Sequence, residues 1–213
     1  MNALLKHAWE ERVGQGIAPR YHDRQLGCAV VKVMPGEYEV GGPDTTLVTL
    51  LGSCVAACIR DPFAAVGGMN HFMLPHDRSG GALGGVASGR YGAYAMEVLI
   101  NELLKRGALR SRLEAKVFGG ANVIAGMTTT AVGESNAQFV LDYLAAEGIA
   151  VVGQDLGGRD ARKVAYFVGS GRALVRHLPV AATLADIAAE QVYGAALDTT
   201  PSGDVELFED DEA

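Results

Sequence analysis

The sequence predicts a single mixed α/β domain, and three observations point to it. The 213 residues are 49% apolar and 20% charged, which suffices to bury a sizeable core in one domain. Short Val-, Leu- and Ile-rich runs are interleaved with amphipathic ones but do not alternate with them one for one. That argues against a doubly wound parallel sheet. The 28 glycines cluster in short motifs between the runs, as tight turns and close backbone approaches require.

Residues 1–27 are polar and of mixed charge, and read as a loosely attached N-terminal extension. Strands are predicted at Cys28–Met34, Thr45–Leu51 and Val55–Arg60, each short, apolar and bounded by Gly, Pro or Asp. Asp61-Pro62 reads as a turn, because proline fixes φ and the aspartate can bond the backbone ahead of it. A further strand, Val66–Leu74, crosses the Gly67-Gly68 pair. Within Ala87–Ala108, the residues Ala95, Val98, Leu99 and Leu103 form a helical stripe. Lys105, Arg106 and Gly107 then supply cations and a left-handed stop.

Leu113–Val123 reads as a strand running into a Gly119-Gly120 turn. A second helix, Ser135–Glu147, carries Ala137, Val140, Leu141 and Leu144 on one face and stops at Gly148. Strand-like runs follow at Ile149–Gly153, Lys163–Val168 and Ala173–Arg176, with a last helix at Thr183–Leu197. The final stretch, Ser202–Ala213, holds six acids and no base, a composition that stays solvated and disordered. The expected division is an extension (1–27), a folded domain (28–197) and an acidic tail (198–213).

A net charge of −7 disfavours nucleic-acid binding, since phosphate contact needs a basic surface. No apolar run approaches the roughly 18 uncharged residues of a membrane helix. Glu10, Glu11 and Arg12 occupy the place of a signal peptide's apolar segment. Three cysteines, an odd number, disfavour a disulfide framework and suit a reducing compartment. The expected location is the cytoplasm.

Chemistry concentrates in LGSCVAACIRDPFAAVGGMNHFMLPH, residues 51–76. Cys54, Cys58, His71 and His76 match the spacing C-x3-C-x12-H-x4-H of a zinc finger. Such a finger needs both histidines on one helix, and Pro75 directly before His76 opposes one. A domain with a real core does not need a zinc staple, so no metal is expected. The competing reading makes Cys54 a nucleophile. It follows Gly52-Ser53, where main-chain N–H groups can face a developing oxyanion, and His71 can serve as its base. Cys58, within VAACI, reads as a small buried hydrophobe, and Cys28 likewise.

Several blocks in order, TLLGSCVAACIRDP, GGMNHFMLP, AKVFGGAN, VGESNAQFV and DLGGRDARKV, resemble the CheD family of chemoreceptor glutamine deamidases, over roughly Val31–Arg176. The resemblance implies packed β-sheets with flanking helices, a fold shared with a deamidating bacterial toxin. It also implies Cys54 as nucleophile, His71 as base and a threonine just upstream of the cysteine as third residue. Thr49 lies five residues upstream, whereas some family members have the threonine six upstream, where this chain has Val48. Thr45 and Thr46 are further candidates. On a regular strand Thr46 faces away from Thr49 and Thr45, and Thr45 lies about 13 Å further from Cys54 than Thr49 does. That geometry favours Thr49.

The activity so implied is that of a protein-glutamine glutaminase: carboxamide hydrolysis through a thioester, with ammonia released and no cofactor. Gly52 and Ser53 are oxyanion candidates. Phe118, Gly119, Gly120 and Asn122 are candidate substrate or partner contacts, or else a strand-ending turn. The partners implied are the cytoplasmic domains of methyl-accepting chemoreceptors and, in some species, a CheC-type phosphatase. The rival readings are a non-catalytic adaptor for those partners and a cysteine protease, which would release peptides rather than ammonia.

Overall fold

The first link of the architecture is the run Thr46–Asp61, which crosses from one β-sheet to another at Gly52-Ser53. The computed structural model describes residues 19–74, 82–123, 130–179 and 192–193. Its strands are β1 (Arg20–Asp23), β2 (Cys28–Lys32), β3 (Tyr38–Gly41), β4 (Thr46–Leu51), β5 (Val55–Asp61) and β6 (Val66–Asn70). Helix α1 (Ala82–Lys105), β7 (Glu114–Gly119), helix α2 (Thr130–Ala146), β8 (Ala150–Leu156), β9 (Ala161–Phe167) and β10 (Arg172–Leu178) follow.

The strands form two five-stranded sheets, ordered β1-β2-β4-β9-β10 and β3-β6-β5-β7-β8. We call them the outer and the central sheet. Strands β2 and β4 are parallel, as are β7 and β8, and the other neighbours are antiparallel. The expected mixed α/β domain is therefore a three-layer arrangement: outer sheet, central sheet, helices.

Two cores follow from the period-two alternation of strand side chains. Leu47, Leu51, Val164 and Tyr166 of the outer sheet meet Cys54, Ala56, Cys58, Met69 and Phe118 of the central sheet between the layers. The other face of β5, Val55, Ala57 and Ile59, packs on α1 and α2. With both faces covered, β5 is buried at every position except Arg60, and so reads as an unbroken apolar run.

Several expectations shift in detail. Arg20–Asp23 is not loosely attached, because it pairs antiparallel with Cys28–Val31 as an edge strand. Residues 1–18, the acidic tail and most of the expected last helix lie outside the described residues, of which Val192 and Tyr193 are helical. On α1 the buried line runs Ala95, Met96, Leu99, Ile100 and Leu103, while Val98 is half-buried. Among the described residues no helix is long and apolar enough to cross a membrane.

Candidate active site

The β5–β6 ladder positions the two candidate side chains, Cys54 and His71. It runs from Asp61↔Val66 to Cys58↔Met69, and then gives one further pair, Val55↔Phe72, closed by both of its N–H···O bonds at 2.9 Å. In between, the N–H of Ala57 donates to Asn70 Oδ1 (2.9 Å), a side chain where a backbone carbonyl would otherwise stand. In this register His71 is opposite Ala56 and Cys54 is opposite Met73. Cys54 and His71 are thus diagonal neighbours on one face, at the roughly 7 Å typical of such pairs. Both face the interlayer core, and both are buried, at 0% and 1% exposure.

Backbone bonds on the opposite side fix His71 further. Its N–H donates to Glu37 O (2.9 Å) and its carbonyl accepts from Gly36 N (2.8 Å). Met34-Pro35-Gly36-Glu37 is a turn closed by Glu37 N to Met34 O (3.0 Å), with proline and glycine in its two central positions as a type II turn favours.

Thr49 comes from the facing sheet. Its position in β4, opposite Val164, turns the hydroxyl into the interlayer space. Thr49 Oγ1 lies 2.9 Å from His71 Nδ1 and 2.8 Å from the carbonyl oxygen of Val33. A carbonyl can only accept, so the single hydroxyl proton goes to Val33 and the ring must donate from Nδ1–H. That assigns the tautomer, and leaves Nε2 as the basic nitrogen of the neutral ring. A small hollow lined by Lys32, Val33, Pro35, Thr49 and His71 opens beside this contact. The other threonines do not share it. Thr46 Oγ1 lies 3.8 Å from Cys28 Sγ, and Thr45 precedes the strand.

The glycines of FGGAN hold the Cys54 segment from its other edge. Gly120 N donates to Cys54 O and Ala121 N to Gly52 O, both at 2.8 Å. A Cβ on Gly119 (φ 112°) would stand 2.1 Å from Cys54 O, so only glycine allows this approach. With its N–H committed to Cys54 O, Gly120 acts as a splint for that strand. Phe118 is 4% exposed in the interlayer core, and is therefore not the surface contact expected for it. Asn122 N donates to Gly158 O (2.9 Å), and Asn122 Oδ1 is buried with no hydrogen-bond partner among the described residues.

Ser53 Oγ lies 3.8 Å from Met73 Sδ, and the Ser53 carbonyl accepts from Asn136 Nδ2 (2.8 Å). Asn136 was not among the sequence candidates. Its signal is an asparagine four residues before Val140 and eight before Leu144, on the buried line of α2.

Cys58 faces the same core two residues beyond Ala56, opposite Met69. Burial drives its thiol pKa far up, which suppresses the thiolate that nucleophile or metal ligand would need. His76 lies outside the described residues, among which no three His, Cys, Asp or Glu side chains gather as a metal set.

A family model described as "CheD chemotactic sensory transduction" matches residues 73–177. A "Probable chemoreceptor glutamine deamidase CheD" of Xanthomonas campestris is 51% identical over 191 residues, 89% of this chain and 94% of that one. A protein of the same name from Thiobacillus denitrificans is 50% identical over 207 residues, 96% of this chain and all of that one. One from Cupriavidus pinatubonensis is 60% identical over 166 residues, 77% of this chain and 76% of that one. Among solved structures, Neisseria meningitidis protein NMB0706 and Bacillus licheniformis YfiH are each 12% identical, with TM-scores of 0.32 and 0.35. They cover 57% and 66% of this chain, and 51% and 61% of their own. Their likeness is too slight to carry any argument. At half identity over most of its length, the chain belongs to the CheD family.

Proposed function

We propose that the protein hydrolyses glutamine side chains of methyl-accepting chemoreceptors to glutamate, with Cys54 as nucleophile, His71 as base and Thr49 as the group that orients His71. The observation that carries this reading is the Val33–Thr49–His71 chain, because it points the basic nitrogen away from Thr49 on the face that Cys54 shares. The names of the relatives support the substrate class. The finer fold class, that of the deamidating cysteine hydrolases, goes with the reading. So does a division into a deamidase domain at 28–197 and an acidic tail at 198–213.

In the first half-reaction His71 Nε2 takes the Cys54 thiol proton, and the sulfur attacks the carboxamide carbon. The C=O electron pair moves onto oxygen, where main-chain N–H groups near Gly52 and Ser53 would stabilise it. One such donor is typically worth about 2.7–4 kcal/mol. The C–N bond breaks as the imidazolium returns its proton to nitrogen, releasing ammonia and leaving a thioester. Water, deprotonated by Nε2, then attacks the thioester carbon. The C–S bond breaks, the sulfur regains a proton and the product is the glutamate side chain. Each step is a proton transfer or acyl transfer, and apart from the substrate and the attacking water every group it uses is a side chain or the backbone.

The reading places the protein in the cytoplasm, where receptor signalling domains lie, with a CheC-type phosphatase as a second partner. Incubation with a receptor cytoplasmic fragment tests it, by ammonia assay and peptide mass spectrometry. Amide-to-acid conversion at defined glutamines, absent with Cys54→Ser, is the expected result. Binding without conversion would replace the enzyme by an adaptor, and peptide fragments would indicate a protease.

A further inference from the structure

The strand pair that carries Cys54 and His71 ends in a way that antiparallel pairing alone does not explain. Hydrogen-bonded pairs alternate along such a ladder. Val55↔Phe72 is one, Cys54 and Met73 form the non-bonded pair beyond it, and Ser53↔Leu74 would be the next bonded pair. That bond is replaced. The Asn136 carboxamide stands in the gap, with Nδ2 donating to Ser53 O at 2.8 Å and Oδ1 accepting from Leu74 N at 2.9 Å. It supplies one donor and one acceptor, as a peptide group would, and it is 0% exposed.

We propose that Asn136 is a positioning residue for deamidation, an inserted rung that sets the separation of the two strands at the Cys54–Met73 pair. The inference rests on the proposed deamidase activity. Its second support is the seating of α2. Gly133, one helical turn before Asn136, packs so closely on the FGGAN turn that a Cβ there would meet Gly120 O at 2.5 Å. The reverse contact, from Gly120 to Gly133 O, would be 2.7 Å. Gly120 in turn bonds Cys54 O. The helix is thus held against one edge of the nucleophile segment while its carboxamide spaces the other. A displacement of about 1 Å at reacting groups can cost about a hundredfold in rate.

The test compares Asn136→Leu, which loses both bonds, with Asn136→Asp, which keeps the acceptor for Leu74 N–H and loses the donor to Ser53 O. Asp61→Asn, at the far end of β5, serves as a control for stability loss alone. For both Asn136 variants, assayed well below their melting temperatures, kcat should fall about tenfold or more with KM within about twofold. Asp61→Asn should keep its kcat. Equal kcat in all three and in the wild type would overturn the inference, since Asn136 would then be structural only. Amide exchange of the wild-type protein decides it without any variant. Leu74 N–H should exchange as slowly as Val55 and Phe72, and rapid exchange would remove the rung. A wild type that releases no ammonia would sink the deamidase reading instead, and Leu74 exchange alone would then decide whether Asn136 spaces the strands.

Discussion

Substituting Thr49 separates the hydroxyl's chemistry from its contribution to packing. Thr49→Val keeps the shape but removes the group that donates to Val33 O and accepts from His71 Nδ1. Two buried polar groups lose a partner, at about 1–3 kcal/mol each. With partial relaxation the stability loss should be about 2–4 kcal/mol, a fall in Tm of roughly 5–15 °C for a domain of this size. Turnover should drop further than stability predicts, because an imidazole with no acceptor at Nδ1 no longer favours the Nδ1–H tautomer. A 10- to 100-fold fall in kcat corresponds to about 1.4–2.7 kcal/mol of lost transition-state stabilisation. Thr49→Ser loses only a buried methyl, about 1 kcal/mol, and keeps both bonds, so its kcat should stay within about threefold. Ammonia release from a receptor fragment, measured beside thermal melts, checks both variants. Wild-type turnover in Thr49→Val, or equal loss in Val and Ser, would refute the tautomer argument.

Three more outcomes follow from the same geometry. Cys54→Ser should abolish ammonia release with the fold intact, whereas Cys58→Ser should keep most activity and lose some stability; equal loss of turnover in both would undo the assignment. Gly119→Ala should lower Tm and turnover together, since its Cβ would lie 2.1 Å from Cys54 O. Gly107→Ala, also at positive φ but with open space around it, should lower Tm less and leave turnover alone. Asp61 is the acid-labile anchor: burial raises its pKa, but the N–H groups of Leu109, Ala64 and Phe63 together with Arg112 outweigh that and hold it at about 2. Since the unfolded value is about 3.9, its contribution is present above that pH and is lost as pH falls toward 2. The Tm gap between wild type and Asp61→Asn should therefore narrow across that window, and a constant gap would count against the anchor.

Much of the candidate site was legible because its residues lie in one short run. The apolar block VAACI marks a strand buried on both faces, and strand spacing alone distinguishes Thr49 from Thr45. What escaped is set by distant pairing. Nothing local announces that Thr49 faces a different sheet from Cys54, because Gly52-Ser53 looks like any bend. Strand β3, YEVG, is short and lies between two turn motifs, and it becomes a strand only because β6 pairs with it. Strand β1 is largely polar, and exposed except at Asp23, as edge strands often are, so RYHD carries little apolar signal. Phe118 resembled a surface aromatic because the adjoining glycines suggested a loop, although β7 continues to Gly119. Asn136 required seeing an amide where α2 needs an apolar side chain.

The route of the chain through the site also bears on how its rate can drift. Thr49, Cys54 and His71 all fall within 23 consecutive residues, ahead of the segment 73–177 that the family model matches. The glycines that brace Cys54 and the amide that spaces its strand come from within that later segment. Substitutions there can retune alignment by fractions of an ångström while Thr49, Cys54 and His71 stay the same. On the deamidase reading proposed here, that separates the reaction from its tempo.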